Sequence, residues 1–209
     1  MLHDREDAQK AFDKTYNTLE TLLLARRNQR DYLTKQTLLF TDSLFAALQA
    51  VVYSARERGL VEMGEPRLVE HPAGGGRRAL QIPIEDWSVM FVPLPGTAWP
   101  NARDEASIPG ILFKEQCGRI AVFIGSDSDA TSFYDFLILP NGSWFAWGYG
   151  WPRQASTIDE TNFKGLALEL LTSFVRDIHT TWRTRDQTLL GAAMDARRRA
   201  YIYGLPGDE

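Results

Sequence analysis

Thirteen positions between Phe12 and Ser54 follow one another at alternating steps of four and three residues: Phe12, Tyr16, Leu19, Leu23, Arg26, Arg30, Leu33, Thr37, Phe40, Leu44, Ala47, Val51 and Ser54. That spacing is a heptad seam, and it predicts a helix over roughly residues 5 to 58. No proline interrupts the segment, and Gly59 follows "SARER" where a helix-ending glycine belongs. A straight helix of this length reaches about 80 Å at 1.5 Å per residue. A compact body of this chain length is far smaller. The helix must therefore project, bend, or break near "ARRNQRD", where Arg26 and Arg30 interrupt the apolar seam.

The middle of the chain, roughly 66 to 151, has a different period. "PRLVEH", "RRALQIPI", "WSVMFVPL", "GILFKE", "GRIAVFIG", "TSFYDFLIL" and "SWFAWGYGW" are short and rich in β-branched or aromatic residues. "PAGGGR", "EQCG", "SDSD" and "PNGS" separate them with turn residues. Such close spacing predicts antiparallel hairpins. The longest irregular stretch, "PGTAWPNARDEASIPG", is the loop best suited to carry function.

Asn141-Gly142 between two apolar runs is the strongest short hairpin signal. Placed at a two-residue turn, it sets Ile138 opposite Phe145, Phe136 opposite Trp147 and Tyr134 opposite Tyr149. It groups these rings with Trp151 on one face, and Leu137 and Asp135 with Trp144 and Ala146 on the other. Both faces of this hairpin and of "GRIAVFIG" are then apolar, whereas a half-exposed antiparallel strand alternates apolar with polar. Something must cover each side: helices one, and a curled sheet, the long insert or a second protein the other.

A second long helix is expected over roughly 159 to 202, with Thr157 and Glu160 as a capping box and Phe163, Ala167, Leu170, Phe174, Ile178 and Trp182 as its apolar stripe. One helix enters the sheet and the other leaves it, so side-by-side packing makes them antiparallel. That would bring Arg26 and Arg30 level with roughly Gly191 and Gln187, close to Asp186 and Asp195, so that a charged layer would form in the seam.

Catalytic chemistry finds little support. His3, His71 and His179 are the three histidines, and Cys117 is the single cysteine, with no His or Asp near it in sequence. No Cys/His pair has zinc spacing. "GSDSDAT" lacks the glycine and late glutamate of a calcium loop, and "AGGGRR" lacks the Lys-Ser/Thr of a phosphate loop. The net charge of −4 gives no global pull toward nucleic acid or an anionic membrane. "LFAALQAVV" is far short of the roughly 20 apolar residues of a membrane span. A lone cysteine and a charged start to the sequence fit a cytoplasmic location.

These observations lead to an α+β fold: an antiparallel β-sheet of six to seven strands, flanked by long N-terminal and C-terminal helices that pack as an antiparallel pair. The expected parts are a long helix or helical hairpin (1–58), a sheet (59–155) and a second long helix (156–209). The expected function is that of a non-catalytic scaffold, adaptor or assembly subunit, docking a protein partner or a second copy. No cofactor, metal or membrane is expected. Phe145, Trp147, Tyr149 and Trp151 are the candidate contacts on the sheet, and Phe12, Tyr16, Leu19 and Leu23 those on the helix. One alternative is a small-molecule sensor using Trp147, Tyr149 and Trp182. Another is a nucleic-acid-associated subunit using Arg26, Arg27, Arg30, Arg197, Arg198 and Arg199 as an anion contact.

Overall fold

The computed structural model describes residues 2–85, 87–94, 116–124, 134–148 and 155–184. The long insert, the "SDSD" loop, Tyr149, Trp151 and the three arginines Arg197, Arg198 and Arg199 lie outside these residues, as do Asp186 and Asp195.

The chain is α+β. A single helix, α1, runs without a break over Leu2–Glu57. Among the described residues seven strands follow: β1 Arg67–Glu70, β2 Arg78–Ile84, β3 Trp87–Pro93, β4 Gly118–Ile124, β5 Tyr134–Ile138, β6 Ser143–Gly148 and β7 Ala155–Thr157. Every strand pairs antiparallel with its neighbour in sequence, giving one open sheet in the order β1-β2-β3-β4-β5-β6-β7. A second helix, α2, spans Phe163–Thr184.

The heptad seam has two fates along α1. Leu33, Thr37, Phe40, Leu44 and Ala47 are buried. Every side chain from Gln9 to Tyr32 is exposed. Of the three options open to so long a helix, the structure takes projection: the part before Leu33 extends about 45 Å at 1.5 Å per residue. The sequence "ARRNQRD" does not break it, because arginine is a good helix former and its charges stay in water.

The buried half of α1 crosses the sheet closely. A side-chain carbon at Gly118 would overlap Thr37, standing 2.9 Å from its Cβ and its Cγ2. The Thr37 and Thr41 hydroxyls, both buried, donate to the Leu33 and Thr37 carbonyls at 2.8 and 2.7 Å. Small and self-satisfied side chains thus let the backbones approach where a larger residue would hold them apart.

Phe40 is the hub of the core. Its ring lies 5.5 Å from Phe136 of β5, 5.3 Å from Trp144 of β6 and 5.3 Å from Phe163 at the start of α2. Farther along α2, Phe174 meets Phe91 of β3 edge-on at 6.2 Å. The two helices touch each other as well as the sheet. Their antiparallel orientation stays an expectation, since the Phe40 contact is to the first residue of α2.

The β5–β6 hairpin departs from the expected register by one residue. Ile138 faces Trp144, Leu137 faces Phe145 and Phe136 faces Ala146. The cause is Pro140. The Gly142 N–H donates to the Leu139 carbonyl (3.0 Å), the Leu139 N–H to the Ser143 carbonyl (2.8 Å), and Gly142 adopts φ 81°. The loop is therefore the three-residue type, with proline second in the turn and a left-handed glycine closing it, rather than a two-residue Asn-Gly turn. The Asn141 side chain accepts from the Ser143 N–H at 3.0 Å. Phe136 and Ile138 consequently join Trp144 and Ala146 under the helices, and Leu137 joins Phe145 on the opposite face.

α2 also begins later than the capping-box pattern predicts. Thr157 Oγ1 does donate to Glu160 Oε2 at 2.8 Å, but within the turn that follows β7. The helix cap is Asn162, whose Oδ1 accepts from the Gly165 N–H at 3.1 Å.

Two substitutions test this packing. Phe40→Ala removes the ring shared by α1, the sheet and α2, and is expected to cost about 3–5 kcal/mol in chemical denaturation. Gly118→Ala is expected to cost about 1–3 kcal/mol by forcing α1 away from β4.

Candidate functional site

Two regions stand apart from ordinary core: the sheet face turned away from the helices, and the projecting half of α1.

On the first, alternation carries Cys117, just before β4, and Arg119, Ala121 and Phe123 of β4 to the face opposite Ile120 and Val122. Met90 and Val92 of β3, Asp135 and Leu137 of β5 and Phe145 of β6 share it by register. All of these residues are buried within the single chain. Part of the cover is the 3-10 turn Pro72–Gly74 between β1 and β2. Beside it, the His71 ring stacks on Phe123 at 5.4 Å, and a side-chain carbon at Gly74 would lie 3.8 Å from Val92. Arg77 ties the loop down by donating from Nη1 to the Leu94 carbonyl at 3.1 Å.

Across this apolar face lies an ion pair. Arg119 donates from Nε to Asp135 Oδ1 at 2.9 Å and from Nη2 to Oδ2 at 3.0 Å. Arg119 faces Leu137, and Asp135 faces Ala121, so the pair runs diagonally between strands. The two-pronged geometry offsets part of the desolvation of both charges. Cys117 sits beside it, buried. Burial pushes its thiol up to about 12; Arg119 pulls the value down, and Asp135 raises it further. A thiol held neutral in this way is not a nucleophile at ordinary pH. Burial also lowers the pKa of His71 below its ordinary 6.5, so this imidazole is neutral in the fold.

The pair was readable as two opposite charges on alternating positions of adjacent apolar strands. Reasoning from catalytic motifs passed over it because neither residue belongs to one. Among the described residues, no cluster of three or more His, Cys, Asp or Glu could hold a metal ion.

The second region is the exposed half of α1. Phe12, Tyr16, Leu19 and Leu23 are 64%, 59%, 52% and 57% exposed. The Phe12 and Tyr16 rings stack on one another at 6.3 Å. Arg26, Arg27 and Arg30 are exposed where the helix leaves the sheet. By length and composition α1 could cross a membrane. Yet Phe40, Leu44, Leu48 and Val52 of its later half are buried in the core.

The sequence-derived candidates therefore separate. Phe12, Tyr16, Leu19 and Leu23 lie together on an open surface. Phe145 is buried on the sheet face beyond the helices, and Trp147 belongs to the same strand, β6. Trp182 belongs to α2, and the remaining aromatic and arginine candidates fall outside the described residues. Comparison with protein-family models, with curated proteins and with solved structures finds no match.

Two predictions follow from the buried face. Asp135→Ala strands the Arg119 charge and is expected to cost about 3–5 kcal/mol, whereas Arg119→Met with Asp135→Leu recovers most of that loss; a double variant no more stable than the single would mean the pair does more than fill the sheet. The pH dependence is set on both sides. The Cys117 thiol binds its proton more tightly folded than unfolded, so stability is full below about 9 and falls as pH rises from there toward about 12. His71 binds its proton less tightly folded, so its contribution is lost as pH falls below 6.5. Denaturation across pH checks both, and Cys117→Ala should flatten the alkaline arm alone.

Proposed function

We propose that this protein is a non-catalytic assembly subunit: a sheet-and-helix body that carries a projecting helix for docking protein. One observation supports the reading above all others. One heptad seam runs along α1, interrupted by Arg26 and Arg30, buried at Leu33, Thr37, Phe40, Leu44 and Ala47 and open at Phe12, Tyr16, Leu19 and Leu23. The buried half shows what such a stripe does when it has a neighbour. The open half offers the same chemistry without one among the described residues.

Energetics favour the same reading. An isolated helix in water is marginal, and most helical stability in proteins comes from packing an apolar face. Four large side chains left in solvent over more than three turns give up that stabilisation unless something covers them. The neutral thiol of Cys117 and the paired charges of Arg119 and Asp135 offer no poised nucleophile, which agrees with a binding role. Cytoplasmic location belongs to the same proposal.

Light scattering across concentration tests this reading, together with the mass of the complex purified from its own cells. The expected result is a particle larger than one chain. Leu19→Lys with Leu23→Lys should reduce it to one chain without moving the denaturation midpoint of the body, because neither residue contributes to the core. A wild-type particle of one chain both in vitro and from cells would contradict the proposal.

A further inference from the structure

We infer that the partner of the projecting helix is a second copy of the same helix, lying antiparallel to it; this rests on the docking role proposed above. The orientation follows from how charge and apolar surface are distributed along α1. Its first turns carry Asp4, Glu6 and Asp7 against one Arg5. Next comes the apolar stretch Phe12, Tyr16, Leu19 and Leu23, and then Arg26, Arg27 and Arg30 against one Asp31. The order is acidic, apolar, basic.

Two such helices side by side and parallel would set the arginines of one against those of the other, with Arg26 and Arg30 in the seam itself. Like charges would meet there in partly desolvated layers. Turned end for end, the same helices bring the basic turns of each against the acidic turns of the other, and the apolar stretches coincide. The register that matches the apolar positions sets Tyr16 against Leu19 of the second copy and Phe12 against its Leu23, each contact occurring twice about a two-fold axis between residues 17 and 18. In that register the seam sets Arg26 against Gln9 and Arg30 against Arg5, which stands among the acidic residues of the first turns, while Arg27 and Glu6, both at positions flanking the seam where charges select partner and orientation, fall two residues out of level. Glu20 and Asp13 also fall two residues out of level, a like-charged contact at the exposed rim that salt screens. The contact is isologous and closes as a dimer rather than growing into a filament.

A spin label at Asn28, an exposed position away from the seam, reads the orientation in the Cys117→Ala background. In the antiparallel dimer the two labels are separated by about 32 Å along the helix axes, and in a parallel dimer they lie level, within about 20 Å. Charge exchange supplies the second arm. The variant Arg26→Glu, Arg27→Glu, Arg30→Glu and the variant Asp4→Lys, Glu6→Lys, Asp7→Lys are each expected to dimerise at least about tenfold more weakly than the wild type. Mixed together they should pair with one another. Raising salt should weaken the wild-type dimer and the mixed pair alike. A short label distance would overturn the antiparallel arrangement while leaving docking intact. A chain that stays single alone yet loses a different partner on Leu19→Lys with Leu23→Lys would overturn self-pairing but keep the docking role. A single chain that binds nothing through this stripe removes both.

Discussion

The close crossing of α1 over the sheet, where Thr37 meets Gly118 and Phe40 meets Phe136 and Trp144, is the contact on which the rest of the molecule depends. It fixes where the heptad seam stops being surface and becomes core. On one side of it, apolar residues of the seam are buried against β-strands and α2. On the other, residues of the same kind and spacing stand in solvent. Glycine at 118 permits the approach, and the aromatic cluster around Phe40 holds it.

The sheet is covered on both faces, and the two covers differ in chemistry. Beneath the helices the contacts are aliphatic and aromatic, joined by the hydrogen bond from Trp144 Nε1 to Thr161 Oγ1 at 2.6 Å. The far face holds a buried arginine–aspartate pair next to a neutral thiol. Such a pair adds little net stability, but it penalises any strand register that separates its members. A slip of one residue between β4 and β5 would turn one charge toward the helices. The pair thus acts on register, which a meander of apolar strands would otherwise specify weakly.

Much of the fold was legible in the sequence because periodicity reports directly on which side of an element is buried. The change from a heptad period to short strands with turn residues marked out helix, sheet and helix. Two details were not legible in that way. The β5–β6 register turned on Pro140, which converted an Asn-Gly signal into a longer loop and moved Phe136 and Ile138 under the helices. The start of α2 turned on the choice between Thr157 and Asn162 as cap, two residues with similar propensity that only the end of β7 separates. At the candidate surface, Phe12, Tyr16, Leu19 and Leu23 were legible as a stripe, but their exposure depended on where the sheet ends beneath α1. Arg119 and Asp135 were visible only as charges in apolar strands, and no motif assigned them a role.

The central claim is that one seam on α1 serves two purposes, folding the body after Leu33 and docking a partner before it. Hydrogen exchange along α1, measured over a range of protein concentration, tests this most directly. Amides between Leu33 and Val52 should exchange slowly at every concentration, and those between Gln9 and Tyr32 should gain protection as concentration rises. Protection between Gln9 and Tyr32 that never changes with concentration, whether high or absent, would contradict it.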